Sequence, residues 1–451
     1  MRQLVVHPAL IIDKLMTGLS YDPASQVTNI LHQLTATSTP INQADYVYNP
    51  VGNRTSLTDR RGAQAFGYDN LDRLTSASHP LLATPQAFAY DPVGNRTTGG
   101  SVVNAGNQLT ADANYAYQYD DNGNLTRKTL LATGNFTQYS YDAENRLTKV
   151  EEFAAGNATA FATSTYRYDG LGRRIEKVAN GQTKRYIYDG EDILLEYDGT
   201  NALVARYTHG PGIDEPIAVT KGGATYFYHQ DGLGSVTDLT DSTGATAKSY
   251  SYDAYGTILE SLGTLEQPYT YTGREFDGES GLYYYRARNY DSASGRFLQE
   301  DPIELAGGTN FYRYSYNNPT NWSDPLGLLS WQDAQGRGMT WDQWWNHPET
   351  TMQDQIDAET IEPNPGIDPV DVGTGGFACW QLFKKGSEIP FGKNWRVAPF
   401  GNRTGHPLGR WPHYHRRGTP GPDGKTPPGQ GIGRHRPIEK KGCDTGFCDR
   451  F

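Results

Sequence analysis

A Tyr-Asp pair followed by a short turn keeps returning along this chain, and that return restricts what the chain can fold into. Full copies are Tyr48–Arg54 (with Asn49 in the Asp place), Tyr68–Leu74, Tyr90–Arg96, Tyr119–Leu125, Tyr141–Leu147 and Tyr168–Arg174. Tyr188-Asp189-Gly190 and Tyr252-Asp253-Ala254-Tyr255-Gly256 are degenerate ones. The tyrosine-to-tyrosine steps among the first seven are 20, 22, 29, 22, 27 and 20 residues, so each copy is one supersecondary unit. Before the turn, aromatics stand two apart, as in Tyr166-Arg167-Tyr168 and Tyr186-Ile187-Tyr188, which is a strand with one aromatic face. The Asp carboxylate can cap backbone N–H groups, and Gly or Asn tolerates positive φ. The return strand opens on Leu or Ile (Leu147, Ile175). A lone hairpin cannot bury that face, so neighbours must stack into a continuous sheet built hairpin by hairpin.

Composition agrees. Hydrophobic content is only 36%, yet 31 Tyr and 51 Gly exclude an acidic disordered chain. All three cysteines (Cys379, Cys443, Cys448) lie late, so the repeats owe nothing to disulfides. Met1–Pro8 shows no apolar h-region of a secretory signal. No stretch approaches the roughly 20 apolar residues of a membrane span. Export would need another machine.

The repeats resemble the YD-repeat, or Rhs, family, which includes the C components of insecticidal toxin complexes and the shell of teneurins. The resemblance covers residues 40–328 and is most specific from Gly281-Leu282-Tyr283-Tyr284-Tyr285-Arg286-Ala287-Arg288 through Gly295-Arg296-Phe297 to Leu328. It implies a mainly β fold, a spiralling hairpin sheet forming a partial shell, followed by a small α+β or irregular C-terminal domain. Family shells use more repeats, so a shortened member with open edges is expected. The expected organisation is an irregular segment 1–40, repeats 41–270, an Rhs-associated core 271–328, an acidic linker 329–380 and a basic module 381–451.

Within that core stand Asp301-Pro302 and Asp324-Pro325, and the composition changes abruptly after Leu328. The resemblance implies that the chain cuts itself after the second Asp-Pro, between Leu328 and Leu329, with Asp301, Asp324 and Arg288 as the catalytic set. Two close carboxylates do not both ionise readily, so one keeps its proton while the other activates water. The protonated one would polarise the scissile carbonyl and Arg288 would hold the charged one. Glu304 stands where the family has Gly; positive φ there would cost about 1–2 kcal/mol.

Residues 381–451 carry 14 Lys/Arg against 5 Asp/Glu, a net +9 on a chain of net −11. A basic module on an acidic carrier points to a polyanion, nucleic acid above all. Four of the ten histidines fall within this module, each within three positions of an Arg. That mix suits a metal-free ribonuclease, with His406 and either His413 or His415 as acid and base and Arg403 and Arg410 on phosphate. Trp395, Arg396, Trp411, Arg416, Arg417, Arg434 and His435 are the expected nucleic-acid contacts. No cofactor is required on this reading. Alternatively, His413, His415 and His435 hold a divalent metal in a DNase. The expected partners are a nucleic-acid substrate, a cognate immunity protein and a secretion apparatus, with the protein secreted or at the cell surface. A different class stays open: a YD-repeat surface protein that binds carbohydrate or a partner and carries a non-catalytic tail.

Overall fold

The computed structural model describes residues 15–328 and, further on, four short strands. Nearly everything described is antiparallel β-sheet, in the order of the sequence. Seven strands from Leu15–Tyr21 to Gln86–Ala87 form one sheet; sixteen from Val102–Val103 to Ile258–Leu262 form a second. Glu275–Asp277, Leu282–Tyr285, Arg288–Asp291 and Arg296–Phe297 make a small third sheet. In the second compact unit, Ile389–Phe391, Trp395–Ala398, His413–Arg416 and Arg436–Pro437 pair antiparallel. No helix among the described residues is long and apolar enough to cross a membrane.

Each turn obeys one local rule. The Asp142 carboxylate accepts the N–H groups of Glu144 and Arg146 at 3.0 Å each; Asp169 does the same for Leu171 (2.9 Å) and Arg173 (3.0 Å). The residue before the closing Arg takes positive φ, and it is Asn145 (+57°) or Gly172 (+81°), types that enter that region at little cost. The tyrosine ahead of the Asp sits at a bulge, where the ladder shifts by one residue. It donates its hydroxyl to the first return-strand carbonyl of the preceding unit: Tyr141 to Leu125 (2.8 Å), Tyr168 to Leu147 (2.7 Å). Bulges strengthen the right-handed twist, so a bulge per unit coils the sheet. Arg173 then reaches the Gly190 carbonyl of the next turn at 2.8 Å.

Two expectations need correction. The segment 1–40 is not wholly irregular: Leu15–Tyr21 and Val27–Leu34 are paired strands, and Pro40 opens a third. Their turn is a further copy, Asp22 accepting from Ala24 and Gln26 at 2.9 Å each, with Ser25 at φ +65° where Gly or Asn was sought. Nor is the repeat sheet continuous. Between Ala87 and Val102 only a lone bridge, Tyr90 to Arg96, is made. Gly99 and Gly100, both left-handed, stand where the ladder stops.

The two sheets meet along a polar seam. Asn42 donates to Asp238 (2.7 Å), Arg54 to the Gly232 carbonyl (2.7 Å), and the buried His32 and His229 rings meet edge-on at 4.9 Å. The third sheet is fastened to the sixteen-stranded one by buried ions. Arg174 pairs with Glu275 (2.8 Å) and with Asp277, and Lys128 pairs with Asp291 at 2.7 Å. Tyr271, Tyr283, Tyr285, Tyr290, Phe297 and Tyr314 close an aromatic core over it.

Candidate self-cleavage centre

Three buried residues far apart in sequence converge at the end of that aromatic core. Arg288 lies in the strand Arg288–Asp291, with its guanidinium carbon 3.7 Å from the centre of the Phe297 ring. One nitrogen, Nη2, stands 3.0 Å from Asp301 Oδ2, 3.4 Å from Asp324 Oδ2 and 3.5 Å from the Leu328 carbonyl oxygen. Its other nitrogens donate to the Phe311 carbonyl (2.8 Å) and the Gly327 carbonyl. The planar fork of arginine suits this many-sided task better than a lysine point charge.

The two Asp-Pro turns set the carboxylates. Asp301 Oδ1 accepts from Ile303 N–H at 3.1 Å, and its other oxygen lies so close to Gly307 that a side chain there would collide. Asp324 Oδ1 accepts the Leu328 N–H at 2.9 Å. Gly327, at φ +69°, turns the chain against Tyr285, whose carbonyl leaves no room for a Cβ. Burial pushes the Asp324 carboxyl above its ordinary range, with Arg288 pulling the other way. The two carboxyl groups therefore share one cation, and the Leu328 carbonyl lies beside that cation.

Arg288, expected beside an ionised carboxylate, also faces the Leu328 carbonyl oxygen. Phe297, Gly307 and Gly327 were not singled out. Their signal was present, Gly295-Arg296-Phe297 and Asp324-Pro325-Leu326-Gly327, but a stacking ring and two close approaches cannot be told from packing in a sequence. Glu304 does lie at positive φ, +50°.

For the tail, the described backbone pairs Trp395 with Arg416, Arg396 with His415 and Ala398 with His413. His413–Arg416 is a strand, so positions 413 and 415 fall on one face. Arg403, His406, Arg410, Trp411, Arg417, Arg434 and His435 lie outside the described residues, as does Leu329.

A coiled antiparallel hairpin sheet with a tyrosine core enclosing two Asp-Pro turns defines a YD-repeat shell protein. The sequence matches the Teneurin YD-shell family over residues 10–320, and the chain belongs to that family. Among curated relatives, the tRNA3(Ser)-specific nuclease WapA of Bacillus spizizenii is 36% identical over 284 residues, 58% of this chain and 12% of that protein. Double-stranded DNA deaminase toxin A of Burkholderia cenocepacia is 30% identical over 326 residues, 63% of this chain and 22% of that protein. This chain thus spans under a quarter of either relative. The crystal structure of TcdB2-TccC3-TEV shares the fold with a TM-score of 0.51 at 22% identity, covering 70% of this chain and 18% of that one.

Proposed function

We propose that this protein is a polymorphic toxin whose YD-repeat carrier cuts its own backbone after Leu328 and so frees a nuclease. The observation that carries this reading is the single Arg288 nitrogen shared by Asp301, Asp324 and the Leu328 carbonyl. In the proposed step, ionised Asp301 takes a proton from water, which adds to the Leu328 carbonyl carbon. Asp324 gives its proton to the carbonyl oxygen, with Arg288 steadying the charge that builds there. Asp301 then passes its new proton to the Leu329 nitrogen, the C–N bond breaks to free that amine, and the re-forming carbonyl returns a proton to Asp324. The relatives named as toxin and nuclease support the coarser part of the reading.

The proposed payload is residues 381–451 behind the acidic linker 329–380. The relatives act on tRNA or on double-stranded DNA by their names, so the target is argued from the tail's own residues. His406 with His413 or His415 as acid and base, and Arg403 and Arg410 on phosphate, favour RNA. Such a payload requires an immunity protein in its producer and an export apparatus. The sugar-stacking alternative has less in its favour, because strand tyrosines such as Tyr46, Tyr117, Tyr139, Tyr166 and Tyr186 are turned into the core.

The test is the intact mass of the full chain beside Asp324→Asn. Two fragments meeting at the 328–329 bond in the parent and one uncut chain in the variant support the reading. A single band in both refutes it. The cut parent, assayed on tRNA and on duplex DNA in chelator, then separates a metal-free ribonuclease from a metal-dependent DNase, with His406→Ala and one of His413→Ala and His415→Ala expected to lose the ribonuclease activity.

A further inference from the structure

Two turns in the first hundred residues have the same sequence, Pro-Val-Gly-Asn-Arg, at Pro50–Arg54 and Pro92–Arg96. The side chain just before the return strand reaches farther in these two turns than in those of Asp142 and Asp169. Arg146 and Arg173 bind only their own turn and the next one. Asn53 and Asn95, at the matching place in their turns, reach more than two hundred residues along the chain into the segments that bear the two carboxylates.

Asn95 Oδ1 accepts from Asn310 Nδ2 at 2.8 Å and from Arg296 Nη1 at 3.1 Å. Those two residues bracket Asp301. Asn53 Oδ1 accepts from Asn318 Nδ2 at 3.0 Å, six residues before Asp324. Arg54 adds its backbone N–H to Asn321 Oδ1 (2.7 Å) and its guanidinium to the Thr320 carbonyl (3.0 Å). The Gly94 carbonyl takes the Asn317 amide at 2.8 Å.

The segment so held needs holding. Ser315, Tyr316 and Asn317 are three consecutive non-glycine residues at φ +43°, +54° and +61°. Such runs are costly for L-residues and persist only where surrounding contacts over-determine them. Released from Asn53 and Gly94, this segment would relax and carry Asp324 out of register with Arg288.

We infer that the two Pro-Val-Gly-Asn-Arg turns are pegs that license self-cleavage, with Asn53 and Asn95 as positioning residues for Asp324 and Asp301. The inference rests on the self-cleavage reading and adds its regulation: the bond is cut only once the amino-terminal sheet has docked on the core. A chain whose first sheet is still unfolded keeps its payload attached. Misplacing a reacting group by an ångström costs up to about a hundredfold in rate, so each peg controls a measurable factor.

The test uses the full-length chain, made by pulsed translation and followed for first-order loss of the uncut band. Asn53→Ala and Asn95→Ala are each expected to slow cleavage at least tenfold. Asn318→Ala should slow it by the same factor as Asn53→Ala, and the double variant should be no slower than either. The pair Asn95→Ala and Asn310→Ala should behave alike. Arg146→Ala, a turn residue without a core contact, should cut at the parental rate. Melting of each variant on the uncut Asp324→Asn chain reports folding, and Asn318→Ala probes the same hydrogen bond from the core if Asn53→Ala fails to fold. Parental rates in Asn53→Ala and Asn95→Ala, multiplying effects in the double variants, or equal slowing by Arg146→Ala would overturn the inference alone. An uncut parent overturns it together with the self-cleavage reading.

Discussion

Glu304 carries a side chain at φ +50°, beside one of the two aspartates. Glu304→Gly removes that strain, less the extra flexibility of an unfolded glycine, and is expected to stabilise the chain by about 1 kcal/mol. Denaturant midpoints on the uncut Asp324→Asn background would measure it; an unchanged midpoint contradicts the strain. A second residue-scale prediction concerns His229, which burial and then the neighbouring His32 hold down to about 3. The unfolded imidazole titrates at its ordinary value of about 6.5. Between those values the unfolded chain binds a proton that the folded one refuses, so stability falls as pH falls through the window. The loss is at most about 1.4 kcal/mol per pH unit. Asp238, pushed up to about 6, works in the opposite direction below that pH. Because Asp238 is common to both chains, comparing the parent with His229→Phe isolates the histidine: stability against pH should be flatter on acidification in the variant. Equal slopes would refute this. Asp301, Asp324 and Arg288 were legible through the family resemblance of the two Asp-Pro turns and the aromatic run, and the structure brings the three together. Sequence reading passed over His32 and His229, which lie on different sheets and have no shared motif.

At the scale of the element, the repeat unit is held by one hydroxyl and one carboxylate. Tyr168→Phe deletes the donor to the Leu147 carbonyl and is expected to cost about 1–2 kcal/mol, with Tyr141→Phe costing a similar amount. Melting curves of the two variants check this; a cost below a few tenths of a kcal/mol would assign the hydroxyl no structural share. The hairpins were legible because Asp capping and αL-tolerant residues are local chemistry. Some copies were hidden for an instructive reason. Asp231 and Asp241 make the same turn, accepting from Leu233 and Ser235 and from Thr243 and Ala245, with no tyrosine in front. The carboxylate, rather than the aromatic ring, therefore defines the turn, and a search keyed on Tyr-Asp undercounts it. The break after Ala87 was illegible because its cause is a ladder that fails to form, while Tyr90–Arg96 keeps a complete motif.

For the molecule as a whole, long-range buried charge joins the sheets to the core. Arg174 is almost wholly inaccessible and faces Glu275 and Asp277 about a hundred residues away. Arg174→Met would strip Glu275 of its close cation and leave Asp277 with Lys177 alone (2.8 Å), at an expected cost of up to about 3–5 kcal/mol. Limited proteolysis and thermal melting would report it; a resistant, parental-melting variant would show that solvent reaches the site. Nothing in the neighbouring sequence announced this cluster, since its members are set side by side only by the completed sheet. The hydroxyl link from each tyrosine to the unit before it has an evolutionary corollary. A hairpin bonded chiefly to its predecessor can be duplicated or excised as a cassette, and the flanking units rejoin like to like. The Asp142 turn is thus freer to be copied or lost than its neighbours, whose Gly123, Lys128 and Arg174 bond the core. The two Pro-Val-Gly-Asn-Arg turns are not, because each is keyed to a fixed address in the core.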